Sequence, residues 1–389
     1  MFTFDSEDGV QIHVHGWKPD APPRAVVQIA HGMGEHAARY APLAAALTAQ
    51  GYAVYANDHR GHGLSRHAEP GHLGDDGWNR LVGDMVTLSK TIRERHPGLP
   101  LVLLGHSLGS FASQQYVLDH AHLIDALALA GTTAVDAMLA AQAQAAAEGG
   151  DPLLALNEAF QPSRTPFDWL SRDEPAVDAY LADPLCGFSL DAQGMADITL
   201  ASASLARPQG IPADLPVCVL VGDHDPLNAD LSLSNLLVER YGEAGLTEVT
   251  YLIYPGARHE LFHETNSQEI VSDLLAWLNL ALAPSTSRTA AGLDEHSCQV
   301  SGPGLHEDEG AAGPVRGRAV GRVEPQLEVV PVAEVAAGVV VGLQGDRTGC
   351  RTRTGAEGGV LPEDGGSVVG VQPDAEGVVP QIPARGVPE

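Results

Sequence analysis

The chain lacks what several large classes of protein require. Its 389 residues carry 22 basic side chains against 50 acidic ones, a formal charge of −28. A nucleic-acid partner calls for a basic patch, and docking on an anionic membrane calls for a basic surface, so neither fits this balance. No apolar run approaches the roughly 18–20 residues of a membrane span. The start, MFTFDSEDG, has no basic segment leading into an apolar one and does not read as a secretory signal. Cysteine is scarce, and Cys186, Cys218, Cys298 and Cys350 fall at no spacing typical of a metal site or a disulfide framework. The expectation is an acidic, solvated surface and a reducing, cytoplasmic setting.

Aromatic residues are missing from one whole region. From Pro284 onward there is no Phe, Trp, Tyr, Lys or Met, and the one isoleucine is Ile382. Residues 284–389 hold 15 acids and 8 arginines, a net of −7. Such a segment buries too little apolar surface to offset the entropy of ordering it, so a low-complexity, mostly disordered tail is expected over 284–389. Its Gly/Val/Pro/Ala/Arg composition also suits a shifted-frame translation of GC-rich DNA.

What residues 1–283 do contain is an alternation of strand and helix signals. VQIHVHGW, AVVQIAHG, YAVYANDH, LVLLGH, IDALALAG, PVCVLVGDH and VTYLIYPG read as strands. Several are almost wholly apolar, as central strands covered on both faces are. Helical patterns run from Tyr40 to Gln50, through GWNRLVGDMVTLSKTIRERHPG, and from Gln268 to Leu282. Alternating strands and helices predict a mostly parallel, doubly wound α/β sheet. Between Gly131 and Pro216 no strong strand signal occurs, and the alanine-rich AVDAMLAAQAQAAA begins an inserted helical cap, about residues 132–212. Insertions at one end of a rigid sheet are where specificity usually resides.

The apolar run LVLLGH enters Gly105-His106-Ser107-Leu108-Gly109 and is followed by the helix-compatible LGSFASQQYVLDHAHL. A Gly-x-Ser-x-Gly turn between strand and helix needs residues nearly free of side chain beside the serine, and it exposes that serine as a nucleophile. A serine hydroxyl requires a base and an acid to orient it, expected later in the chain in the order acid, then histidine. The strand PVCVLVGDH leads into Asp223 and Asp225, and the strand VTYLIYPG leads into His259 and His263. Asp225, deeper in its loop and before Pro226, is favoured over Asp223, and His259 over His263; both pairs stay open at this point. His31-Gly32-Met33-Gly34-Glu35-His36 follows the strand expected to supply the second oxyanion donor, which makes Met33 N–H and Leu108 N–H the candidate pair. His13 and His15 lie on an early strand and read as structural or exposed.

Taken together, HGMGEHAARY, NDHRGHGLS, GHSLGS, GDHDP and YPGARHELFHE resemble, in order and spacing, the monoacylglycerol lipase/lysophospholipase group of serine-aminopeptidase-like α/β-hydrolases. The resemblance spans residues 1–283. It implies an α/β-hydrolase fold, the triad Ser107, Asp225 and His259, and an oxyanion hole at Met33 and Leu108. It further implies that Glu35, Arg39 and His106 line the polar end of the pocket. The expected activity is cleavage of a small ester or lipid through an acyl-enzyme, with no metal or organic cofactor called for. A proline-type aminopeptidase, with Glu35, Asp173 or Glu174 receiving the amine, and a thioesterase are alternatives on the same fold. A catalytically silent binding protein is an alternative of another class, marked by loss of a triad residue, and none is lost. For the tail, an intact mass ending near residue 284 would support the shifted-frame reading, and a full-length mass would oppose it.

Overall fold

The computed structural model describes residues 1–149 and 155–283. The tail of residues 284–389, with the disorder expected of it, lies outside them. The described residues build an eight-stranded sheet of order β1-β2-β4-β3-β5-β6-β7-β8. The strands are β1 (Phe2–Asp5), β2 (Gln11–Trp17), β3 (Ala25–Ala30), β4 (Tyr52–Asn57), β5 (Leu101–His106), β6 (Ala126–Ala130), β7 (Val217–Gly222) and β8 (Val249–Tyr254). From β4 to β8 all neighbours are parallel, while β1 and β2 join antiparallel at one edge. The fold class expected from the sequence is the one observed.

Strands β3 to β7 are buried at every position. Alternate side chains of β5 serve opposite faces: Leu101 and Leu103 join one core, Val102 and Leu104 the other. Helices α2 (Gly77–Arg95), α3 (Leu108–His120) and a later helix, Ser232–Glu243, cover the first face through Leu81, Met85, Phe111 and Leu237. Helix α1 (Ala41–Ala49) and the last helix, Ser267–Ala281, cover the second through Leu43, Leu47, Ile270 and Trp277. This two-sided burial is why the central strands are continuous apolar runs.

Strand β1 was not among the expected strands. Its four residues alternate half-buried and exposed, too short a run to establish a period. Pairing with β2, Phe2 opposite Val14 and Phe4 opposite Ile12, holds it in place.

No strand forms among the described residues between β6 and β7. That interval contributes α4 (Val135–Ala147), α5 (Glu174–Ala182) and α6 (Ala192–Ser202). The helix Ser232–Glu243 is α7 and Ser267–Ala281 is α8. Charged pairs fasten the cap: Arg240 grips Asp136 with both terminal nitrogens, at 2.5 and 3.0 Å, and Arg172 Nε meets Glu264 at 2.9 Å. Asp191 caps α6 by accepting the Gly194 N–H at 2.8 Å.

Two glycines set how closely the ends of these strands approach one another. A Cβ at Gly109 would lie 2.1 Å from the Ala30 carbonyl oxygen, and one at Gly222 would lie 2.1 Å from that of Ala257. Both obstacles are backbone and cannot turn aside. Gly109→Ala is therefore expected to lower unfolding free energy by about 1–3 kcal/mol or more, measurable as a fall in the denaturant midpoint.

Candidate active site

Ser107 sits between β5 and α3 at φ 50°, ψ −122°, a strained backbone for a residue with a side chain. Such a conformation costs on the order of 1–3 kcal/mol and persists only where its surroundings impose it. Here the Ser107 N–H donates to Ala130 O at 3.1 Å, and its carbonyl accepts from the N–H groups of Ser110 and Phe111 at 2.8 and 3.0 Å. The turn therefore projects Oγ away from the sheet and holds it there.

The loops after β7 and β8 bring the partners. His259 Nε2 lies 2.8 Å from Ser107 Oγ, and His259 Nδ1 lies 2.8 Å from Asp225 Oδ2. Asp225 is further fixed by the Leu227 N–H, which donates to its other oxygen at 2.9 Å. The acid and histidine alternatives separate cleanly. Asp223, 31% exposed, accepts the Gly256 N–H at 2.6 Å and contacts the His224 ring, which braces the turn after β8. His263 turns its Nε2 toward the Arg39 carbonyl at 3.3 Å.

Leu108 is the first residue of α3, so its N–H has no acceptor within the helix. The loop carrying Met33 approaches so closely that a Cβ on Gly32 would stand 3.2 Å from Ser107 Cβ. Met33 and Leu108 both line the cavity beside Ser107.

Glu35 is buried and fully engaged: its oxygens accept from Gly32 N–H at 2.6 Å, from Tyr40 OH at 2.8 Å and from the Arg39 guanidinium. Arg39 also binds Glu260 with both terminal nitrogens, at 2.7 and 2.8 Å, and stacks over the Tyr180 ring. Burial works against both the Glu35 and Glu260 carboxylates, yet Arg39 beside them keeps each below its ordinary range. Glu35 and His106 line the cavity over Ser107, whereas Arg39 stands behind them and holds the two carboxylates. Glu260, next to His259, lines it too and was not singled out from the sequence; its place in RHELFHE, one residue past the candidate base, was the available signal.

Burial is the largest influence on His259 and disfavours its imidazolium. The Asp225 carboxylate, the hydrogen bond to it, and the charges of Glu260 and Glu35 outweigh burial, so the pKa rises above the ordinary histidine value. His106, buried and 5.0 Å from the His259 ring, is pushed down to about 4 by burial and by that neighbour. It is neutral where His259 titrates.

The cap reaches the same site. The Trp169 ring lies 5.1 Å from the His259 ring, and the next residue, Leu170, accepts the Glu260 N–H at 2.7 Å. No pattern in the sequence marked Trp169. Above Ser107 is a cavity of about 500 Å³, lined by Met33, Leu108, Phe111, Met138, Leu139, Leu156, Trp169, Met195 and Ile198, among others. Its polar lining includes Glu35, His106 and Glu260.

A family profile described as serine aminopeptidase, S33 (Hydrolase_4) matches residues 21–266. The chain belongs to this family. A monoacylglycerol lipase of Mycolicibacterium smegmatis is 32% identical to it over 284 residues, 71% of this chain and 95% of that one. The human monoglyceride lipase is 28% identical over 283 residues, covering 72% and 89% of the two chains. Among solved structures, a thermostable carboxyl esterase from Bacillus coagulans in complex with glycerol is similar at 27% identity, with a TM-score of 0.63 over 72% of this chain and 98% of that one. The resemblance to the monoacylglycerol lipase group is thus borne out by whole-length relatives.

A family member that uses His259 as base must have it neutral, so activity should fall as pH drops through its raised pKa. Removing the Glu260 charge lowers that pKa, and Glu260→Gln is expected to move the acid limb of kcat/KM to lower pH. Asp225→Asn is expected to cut kcat by roughly 10⁴-fold, the size of effect the same change has in a Ser-His-Asp triad. Full pH–rate profiles of the two variants beside the wild type check both.

Proposed function

We propose that the protein is a serine carboxylic ester hydrolase acting on monoacylglycerols, with lysophospholipids as the nearest alternative substrate. Ser107, His259 and Asp225 act as the triad, and the N–H groups of Met33 and Leu108 hold the oxyanion. His259 takes the Ser107 proton as Oγ attacks the ester carbonyl, then returns it to the departing glycerol oxygen. A water, deprotonated by the same imidazole, releases the fatty acid. Asp225 holds the ring in the tautomer with the proton on Nδ1 and stabilises the imidazolium in both half-reactions.

The observation that carries this reading is the asymmetry of the single cavity around Ser107. The many Met, Leu, Ile and aromatic side chains of its lining suit an acyl chain, and the polar group of His106 with Glu35 and Glu260, which Arg39 joins, suits a hydroxylated alcohol. The face of α4 that meets the cavity, Met138, Leu139, Ala143 and Ala146 with Gln142 among them, is mostly apolar and suits the acyl part. Relatives named for monoacylglycerol and monoglyceride hydrolysis support the same choice.

The peptidase alternative needs an unpaired acid for a substrate ammonium. Glu35 and Glu260 are both bonded to Arg39, and the cap acids Asp173 and Glu174 stand outside the cavity lining, Glu174 facing Arg164. An uncharged glycerol asks less of such a pocket than an amine does.

Each methylene buried in the cavity contributes about 0.8 kcal/mol, so kcat/KM should rise about fourfold per added methylene until the cavity is full. The check is a matched panel of monoacylglycerols of increasing chain length, a lysophospholipid, an acyl thioester and a prolyl anilide, run with the wild type and Ser107→Ala. Ser107-dependent turnover that climbs with acyl length on the glycerol esters is the expected result. Turnover confined to the anilide or to the thioester would overturn the assignment.

A further inference from the structure

Outside the catalytic centre, the described residues hold one group of three side chains whose ligand atoms all lie within 4.8 Å of one another: His36, Asp183 and Cys186. They come from two distant parts of the chain. His36 ends the loop that carries Met33 and Glu35, and it is 8% exposed. Asp183 and Cys186 flank the tight turn that follows α5 in the cap, Asp-Pro-Leu-Cys, closed by the Cys186 N–H donating to Asp183 O at 3.0 Å. An i, i+3 turn presents two side chains to one point, as paired ligands do in the short loops of structural zinc sites.

The carboxylate is already oriented. Asp183 Oδ1 accepts the Leu185 N–H at 2.8 Å, and its Oδ2 faces His36 Nε2 at 2.9 Å. In a tetrahedral zinc shell, nitrogen, oxygen and sulfur ligands lie about 3.4–3.6 Å apart. The His36–Asp183 pair is slightly inside that spacing and the trio as a whole somewhat outside it, so small side-chain rotations reach it. Imidazole, carboxylate and thiolate together select a borderline-soft divalent cation over Mg²⁺ or Ca²⁺, which take oxygen shells.

We propose that His36, Asp183 and Cys186 form a binding site for a thiophilic divalent cation, Zn²⁺ above all, which fastens the cap to the loop bearing the oxyanion donor. Binding replaces the His36–Asp183 hydrogen bond with two metal bonds, transfers the His36 ring proton from Nε2 to Nδ1, and expels the Cys186 thiol proton to solvent. The fourth position is left to water. The cap turn already touches that loop, because the Gly187 N–H donates to Gly34 O at 2.9 Å and a Cβ on Gly34 would lie 2.2 Å from Phe188 O. Phe188 and Ser189, directly beyond the turn, line the substrate cavity. An ion here therefore stiffens the cavity wall without touching Ser107, His259 or Asp225, and it should slow turnover while raising thermal stability.

The test uses the full chain with Cys298→Ser and Cys350→Ser, so that Cys186 and the buried Cys218 are its remaining thiols. Cd²⁺ titration reports sulfur ligation directly through the ultraviolet thiolate-to-metal charge-transfer band. Zn²⁺ titration is followed by Tm and by hydrolysis of a p-nitrophenyl ester, with reversal by a chelator. The expected result is a band saturating at one equivalent, a parallel rise in Tm and a reversible fall in turnover. Cys186→Ser should abolish the band, and Asp183→Asn should weaken affinity by more than the roughly 10–100-fold lost with an outer-shell partner. A band that survives in Cys186→Ser, absence of saturable binding, or an unchanged Zn²⁺ response in both variants would overturn the proposal. Band and Tm do not depend on which ester the enzyme cleaves, so failure here and failure of the proposed function are read separately.

Discussion

One cation, the largely buried Arg39, joins the two loops on which the site depends. Its guanidinium lies between Glu35, on the loop after β3, and Glu260, on the loop after β8. Two carboxylates and one guanidinium leave an excess negative charge in a region with little water. Breaking a buried pair of this kind typically costs several kcal/mol, because the remaining charges lose their compensation. The same excess charge acts on the neighbouring imidazoles. It supports the imidazolium of His259, whose other partner is Asp225, and it opposes the fall in the His106 pKa that burial causes. The carboxylates that join the two loops thus add to the support that Asp225 gives the His259 imidazolium.

Much of the architecture was legible because it follows from local constraints. The Gly-x-Ser-x-Gly turn announces itself in five residues, since only glycine fits at Gly109 against the Ala30 carbonyl. The acid and histidine loops each follow a short apolar strand, β7 buried at every position and β8 a half-buried edge strand. The choice of Asp225 over Asp223 follows physically from depth: Asp225 is buried beside His259, and Asp223 stays near the surface as a brace for Gly256.

What could not be read depends on contacts between segments far apart in sequence. Arg39 and Glu35 stand four residues apart and were named together, but the grip of Arg39 on Glu260 spans 221 positions. Trp169 lies in a cap stretch whose polar and aromatic residues follow neither helical nor strand period, so nothing local aims it at the His259 ring. The first strand escaped notice because four residues cannot display a period, although Phe2 and Phe4 do face the core.

The contact between Trp169 and His259 ties the cap to the side chain that meets Ser107. The turn that bears Trp169 belongs to the cap, and its neighbour Leu170 is bonded to the residue after His259. A cap displaced far enough to bare the cavity withdraws the indole from the imidazole and pulls on its backbone. The ring packed on His259 and the backbone bond to the residue after it both come from the cap.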